Sequence, residues 1–212
     1  MAAADGRLGM PSWPDPHGGM GEVRDEEYSR VTSPERYDIV HARAHAWTEQ
    51  LRGLPGVEVD PLAPAPLDRD ERYGEFDRGV RITSDRPGTL PLLLLQQDAP
   101  LSAQEGTVAL LQVSVVRPDV VVFRQDCVCD ACDHGSAGLL GAIDGKIAAV
   151  VGGPFVVLRG DGWNAQWHPD GGSSSNSRNH RSVMESCRRL AAGEEVRLPG
   201  HTEVFAGRSW LR

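Results

Sequence analysis

Lysine is almost missing from this chain: Lys146 is the only one among 212 residues, and every other basic side chain is arginine. Basic residues are also outnumbered, 22 against 30 acidic, giving a formal charge of −8 and a pI near 5.3. Binding to phosphate backbones or anionic lipid by counterion release therefore has no whole-molecule support, and neither a nucleic-acid nor a membrane partner is expected. No apolar run is read as approaching the roughly 18 to 20 residues that a spanning helix needs. Residues Met1 to Gly21 lack the basic-then-apolar pattern of a signal peptide, so the expectation is a cytoplasmic protein. Four cysteines are too few for a disulfide scaffold of this length. There is no Gly-x-Gly-x-x-Gly, no phosphate-loop lysine motif and no internal repeat, and Gly135-Ser136-Ala137-Gly138 lacks the spacing of a nucleophile elbow. Nucleotide-enzyme and hydrolase readings have no anchor.

What is present suffices for a core. Hydrophobic residues make up 40%, with 24 glycines and 15 prolines, a loop-rich but globular composition. Residues 1–27 mix Gly, Pro and charge without period and read as a mobile N-terminal arm, leaving 28–212 as a single domain. Ser33-Pro34-Glu35 is a helix-start signature, with Ser33 as the capping hydroxyl. Tyr37, Val40, Ala44, Trp47 and Leu51 then form one apolar stripe ending at Gly53 and Pro55. Pro61 to Asp77 reads as a long surface loop. Val80–Thr83, Leu90–Gln97, Val108–Val116 and Val120–Arg124 read as strands, the last two joined by a Pro118-Asp119 turn.

Leu139 to Val151 carries a second helical stripe stopped by Gly152-Gly153-Pro154. Phe155–Arg159 and Trp163–Trp167 form a second hairpin, with Trp163, Ala165 and Trp167 on one face. Gly171–Asn179 reads as a linker, Arg181–Ala192 as a third helix with Cys187 inward, and Val196–Leu198 and Glu203–Ala206 as short strands. Hairpins with segregated helices and no βαβ alternation predict an α+β fold, a mainly antiparallel sheet with about three helices.

Chemistry concentrates in one place. Asp126-Cys127-Val128-Cys129-Asp130-Ala131-Cys132-Asp133-His134 holds three of the four cysteines and one of seven histidines. Cysteines two apart on an extended chain project to one side, and the third can turn back through a knuckle, an arrangement suited to zinc. Cys127, Cys129, Cys132 and His134 are the candidate ligands, with Cys187 as an alternative fourth. A second reading takes Cys129 and Cys132 as a thioredoxin-like dithiol at a helix start, against which Asp126, Asp130 and Asp133 disfavour a thiolate. A third takes all three as small residues at a strand-to-helix corner, with Asp133 or Ser136 capping the helix.

Elsewhere, His41 and His45 are four apart on the first helix without an intervening acid and read as boundary histidines. Trp163, Trp167, His168 and Asp170, beside a Ser-rich stretch, would be the lining of a small-molecule enzyme site, although Pro169-Asp170-Gly171 is explained by turn geometry alone. Asp68, Asp70, Glu71, Glu75 and Asp77 read as a solvated acidic surface.

The stretches Tyr28-Ser29-Arg30-Val31-Thr32, Ser33-Pro34-Glu35-Arg36, Cys127-Val128-Cys129-Asp130-Ala131-Cys132-Asp133, Val151-Gly152-Gly153-Pro154-Phe155 and Trp167-His168-Pro169-Asp170-Gly171-Gly172 together resemble an actinobacterial family of small proteins classed as a domain of unknown function. That resemblance implies no activity, cofactor or partner. The residues favour a non-catalytic accessory or binding protein whose cysteine cluster is structural and is the one place for zinc. The alternative is an enzyme, either a thiol oxidoreductase using Cys129 and Cys132 or one built around Trp163, Trp167, His168 and Asp170.

Overall fold

Two runs of four apolar residues, Leu92–Leu95 and Phe155–Leu158, lack the polar alternation of a half-buried strand, and each proves to be buried on both faces. In the computed structural model, which describes residues 12–18, 23–68, 72–101, 105–177 and 179–211, those runs lie at the centre of two antiparallel sheets. The first sheet has the order β1-β4-β5-β6-β7, from β1 (Val57–Leu62), β4 (Arg78–Ser84), β5 (Leu92–Pro100), β6 (Thr107–Val115) and β7 (Val121–Arg124). A small ribbon pairs β2 (Ala65–Pro66) with β3 (Glu75–Phe76). The second sheet has the order β10-β9-β8-β11, from β8 (Phe155–Gly160), β9 (Trp163–His168), β10 (Gly171–Ser175) and β11 (Glu203–Gly207). Three α-helices accompany them among the described residues: α1 (Ile39–Arg52), α2 (Gly135–Gly152) and α3 (His180–Ala191). The fold is α+β, as the patterning predicts.

Register sorts the side chains. Leu92 and Leu94 join Ile82, Leu111 and Val113 under α1 and α2, while Leu93 and Leu95 turn to the opposite face and pack with Leu67 and Phe76. In β8, Phe155 and Val157 enter the main core, and Val156 and Leu158 face α3 with Ala165 and Cys187. Trp163 and Trp167 pack beside this second cluster, on the face they share with Ala165. Each fully buried Leu, Val or Phe contributes about 1.5 to 3 kcal/mol. Inside the main core α1 and α2 are tied by charge: Arg43 Nε donates to Asp144 Oδ1 at 2.8 Å, its Nη2 also reaches the carboxylate, and Trp47 Nε1 donates to Asp144 Oδ1 at 2.7 Å.

Several expectations are corrected. Ser33 sits in the left-handed region (φ 53°) and makes no side-chain cap bond, so the chain enters α1 through a 3-10 turn, Pro34–Asp38. The segment expected as a loop over 61–77 contains the end of β1, the β2–β3 ribbon and two core residues, Leu67 and Phe76. Pro61 is tolerated in β1 because that strand is at the sheet edge and pairs only with β4. Gly171–Ser175, expected as linker, pairs with β9 as edge strand β10. Val196–Leu198 forms no strand. Finally, α2 is 18 residues long and by length and composition is apolar enough to cross a membrane, contrary to the expectation that no such stretch exists. Its glycines and alanines hid it from a reading tuned to large apolar residues. Here its stripe of Leu140, Ile143, Ile147, Val150 and Val151 is buried in the main core.

A polar lock joins the two sheets. The Asp119 carboxylate, in the β6–β7 turn, receives Arg117 Nε at 2.6 Å and Arg159 Nη1 at 2.5 Å, and Arg117 also reaches Glu203 of β11 at 2.7 Å. Burial pulls the Asp119 pKa upward, but the hydrogen bonds from Arg159 and Arg117 outweigh it and hold the group below its ordinary 3.8. A carboxyl whose folded pKa is depressed stabilises the fold above its unfolded pKa and loses that contribution as pH falls through the folded value. Asp119→Asn is therefore expected to be less stable than the parent at pH 7, with the gap closing below about pH 3.8. Urea titrations of both proteins from pH 7 to pH 2.5 measure this, and a gap that does not change with pH contradicts it.

Candidate metal centre

The cysteine corner lies between β7 and α2, where the chain leaves the first sheet, makes a 3-10 turn over Asp130–Cys132 and enters the helix at Gly135. The turn folds the three thiols together: the sulfurs of Cys127, Cys129 and Cys132 all lie within 4.8 Å of one another. The Cys127 and Cys129 sulfurs stand 3.0 Å apart. Three thiolates around one zinc at Zn–S of about 2.3 Å stand about 3.8 Å apart, so the cluster is already at the scale of a coordination sphere. Cys129 is buried, and Cys127 and Cys132 are exposed.

Electrostatics divide the thiols. Burial raises the Cys127 pKa, but hydrogen bonds from the Cys129 thiol and backbone N–H, with further ones from Cys132 and Val128, outweigh it and bring the group below its usual value. Burial pushes Cys129 up, with the Cys127 sulfur reinforcing and Cys132 opposing it, and pushes Cys132 up to about 12, reinforced by both neighbouring sulfurs. A divalent cation held among the three sulfurs would stabilise all three as thiolates. For the dithiol reading these directions are unfavourable, because both Cys129 and Cys132 are held toward the neutral thiol.

The two aspartates that follow Cys129 and Cys132 do different work. Asp130 accepts from Thr32 N and Thr32 Oγ1, both at 2.7 Å, and from Arg30 Nε at 2.6 Å. Burial raises its pKa, but the bonds from Arg30 and Thr32 hold it below the ordinary value. Asp133 accepts from Arg36 Nη2 at 2.7 Å, from Trp13 Nε1 at 2.9 Å and from Gly135 N at 2.8 Å; this last bond closes a turn just ahead of α2, whose N-cap is His134 and has no side-chain cap bond, so the expected cap from Asp133 or Ser136 is not formed. Arg36 lies between two rings, 5.0 Å from the Trp13 centroid and 5.2 Å from that of Tyr37. Two stretches about a hundred residues apart, Arg30-Val31-Thr32 with Arg36 and Asp130 with Asp133, are thus one assembly.

Ser12–Gly18, part of the expected mobile arm, lie across this assembly; residues 1–11 and 19–22 of that arm are outside the described residues. Ser136 N donates to Trp13 O at 3.1 Å, so the strap's own backbone satisfies an open donor of the helix start. His17 Nε2 is 3.0 Å from the Asp130 carbonyl oxygen. Gly135 (φ 75°) is required beneath the strap, since a Cβ there would stand 2.6 Å from Asp15 N. The composition of the arm gave no sign of this docking.

The other candidate residues do not join the cluster. His134 precedes α2 and is exposed, outside the group whose ligand atoms lie within 4.8 Å. Cys187 is buried in the separate α3 cluster with Val156, Leu158 and Ala165, where a thiol acts as a small apolar residue. His41 holds Leu110 O through Nε2 at 2.9 Å, and His45 is exposed. Trp167 and His168 line a cleft of about 340 Å³ beside α2, but Trp163 lines a different groove and the Asp170 side chain is 93% exposed, so these four do not converge on one cavity.

The chain is matched over residues 1–212 by a family model. It belongs to DUF6226, a family of unknown function. No curated protein and no solved structure matches it. Family membership thus supplies no activity, and the chemistry rests on the corner itself.

Asp133→Ala removes the acceptor shared by Trp13, Arg36 and the α2 start, and is expected to cost about 2 to 4 kcal/mol. It should also speed tryptic cleavage at Arg24 well beyond the effect of a comparably destabilising core variant such as Ile143→Ala. Equal cleavage rates for the two variants at matched stability would contradict the strap's dependence on Asp133.

Proposed function

We propose that Cys127, Cys129 and Cys132 hold a zinc ion as a structural centre in a non-catalytic accessory or binding protein of the cytoplasm. The observation that carries this is the convergence of three sulfurs within 4.8 Å on one tight turn. A structural role suits the surroundings, because two of the three neighbouring carboxylates are engaged: Asp130 and Asp133 bond residues of the 12–18 and 30–36 stretches and are not poised to activate a water. A metal at this corner ties β7 to α2 and fixes the turn that presents those aspartates. The thiol state that such a site needs is the state a reducing compartment maintains. His134, two residues beyond Cys132 and exposed, is the protein's candidate for the fourth ligand that a closed structural site requires.

Metal analysis of protein prepared without a histidine tag tests the proposal. One zinc per chain is expected, lost in Cys132→Ser, with chelation lowering the melting temperature and His134→Ala weakening zinc retention. Metal-free protein in which Cys129 and Cys132 cycle between dithiol and disulfide would overturn the proposal in favour of a thiol oxidoreductase.

A further inference from the structure

A second site is indicated where the two sheets meet. β7 is the last strand of the first sheet, and its outer edge faces the β8–β9 hairpin across a groove of about 540 Å³, within the range of small-molecule sites. Tyr73, Arg124, Arg159, Trp163 and Asn164 are among its walls. Gly160 lets the Trp163 indole settle on the hairpin backbone, since a Cβ there would overlap Nε1 at 1.9 Å.

Arg124 is the unusual group. Its Nε donates to Gln112 Oε1 at 2.6 Å, and Gln112 is itself buried and fixed by Ser114 Oγ at 2.9 Å and Pro118 O at 2.7 Å. Its guanidinium stacks 3.6 Å from the Tyr73 ring centroid. Yet among the described residues no carboxylate pairs with it, and its Nη2 is buried without an acceptor. Three other arginines at least partly removed from water are matched by acids, Arg36 by Asp133, Arg43 by Asp144 and Arg159 by Asp119. Nor does the groove compensate it internally. Asp119 is neutralised by Arg117 and Arg159, Asp68 is turned toward Tyr73 N, and Asp126 is exposed. A partly desolvated guanidinium held in place but lacking an anion is the arrangement of a receptor for one.

We propose that this groove binds a small aromatic oxyanion, a carboxylate or a phosphate, whose acid group is taken by Arg124 and whose ring lies against Trp163. Tyr73 stacks on the guanidinium and holds it in place. Arg72, exposed on the rim, adds a second positive charge. This inference is independent of the metal centre.

The full-length protein can be titrated by calorimetry with benzoate, phenyl phosphate and inorganic phosphate, with benzyl alcohol as the uncharged counterpart. Saturable binding of at least one aromatic oxyanion is expected, with benzyl alcohol inert; the tighter of benzoate and phenyl phosphate identifies the acid group. Arg124→Gln should weaken binding about tenfold or more. Because Arg124→Gln can disturb packing, Arg72→Glu provides the second test: this residue is exposed, and the variant should fold normally while binding several-fold more weakly. Arg181→Gln, on the exposed surface of α3, should bind like the parent. No saturable binding of any anion, equal binding of benzyl alcohol, or binding indifferent to Arg72→Glu would overturn the site.

Discussion

Two carboxylates, Asp130 and Asp133, sit largely out of water only because the 12–36 region brings them positive charge and N–H donors. Much of the cysteine corner depends on that exchange. Removing a carboxylate from solvent costs several kcal/mol unless it is paired and hydrogen-bonded, and here each oxygen pair receives three donor groups. The same bonds fix the turn between the cysteines, so the convergence of the sulfurs follows from the satisfaction of the acids. Cluster and strap form one device, in which the polar contacts set the geometry and the thiols exploit it.

The rest of the architecture supports that corner from two sides. β7 delivers the chain from the first sheet, and α2 carries it away beneath the strap, locked to α1 through Asp144, Arg43 and Trp47. The Asp119 lock holds the β6–β7 turn to the second sheet. The groove beside β7 arises from this junction, since an edge strand facing a hairpin of another sheet leaves a channel that neither closes.

Much of this was legible in the residues, and the misses have physical causes. The apolar stripes of α1 and α2 and the hairpins at Pro118-Asp119 and Gly160-Asp161-Gly162 follow from periodicity and turn chemistry, which act over a few residues. β1 and β10 are edge strands whose Pro61, glycines and serines carry no strand signal; pairing with a neighbour made them strands. The thiol convergence could be read from spacing, because a short turn leaves little freedom. The roles of Asp130 and Asp133 could not be, since their partners are about a hundred residues away, although Arg30, Thr32 and Arg36 belong to a stretch whose pattern was already distinctive. Cys187 looked like a ligand only while the topology that sends α3 to the far face of the second sheet was unknown.

Cobalt(II) titration of the metal-free protein, followed by absorption spectroscopy, tests the central claim most directly. Three thiolates on one tetrahedral ion predict an intense near-ultraviolet sulfur-to-cobalt charge-transfer band, with visible d–d bands, saturating at one cobalt per chain and reversed by zinc. A titration that leaves the near-ultraviolet spectrum unchanged, or whose bands persist in the Cys127→Ser, Cys129→Ser, Cys132→Ser triple variant, would contradict it.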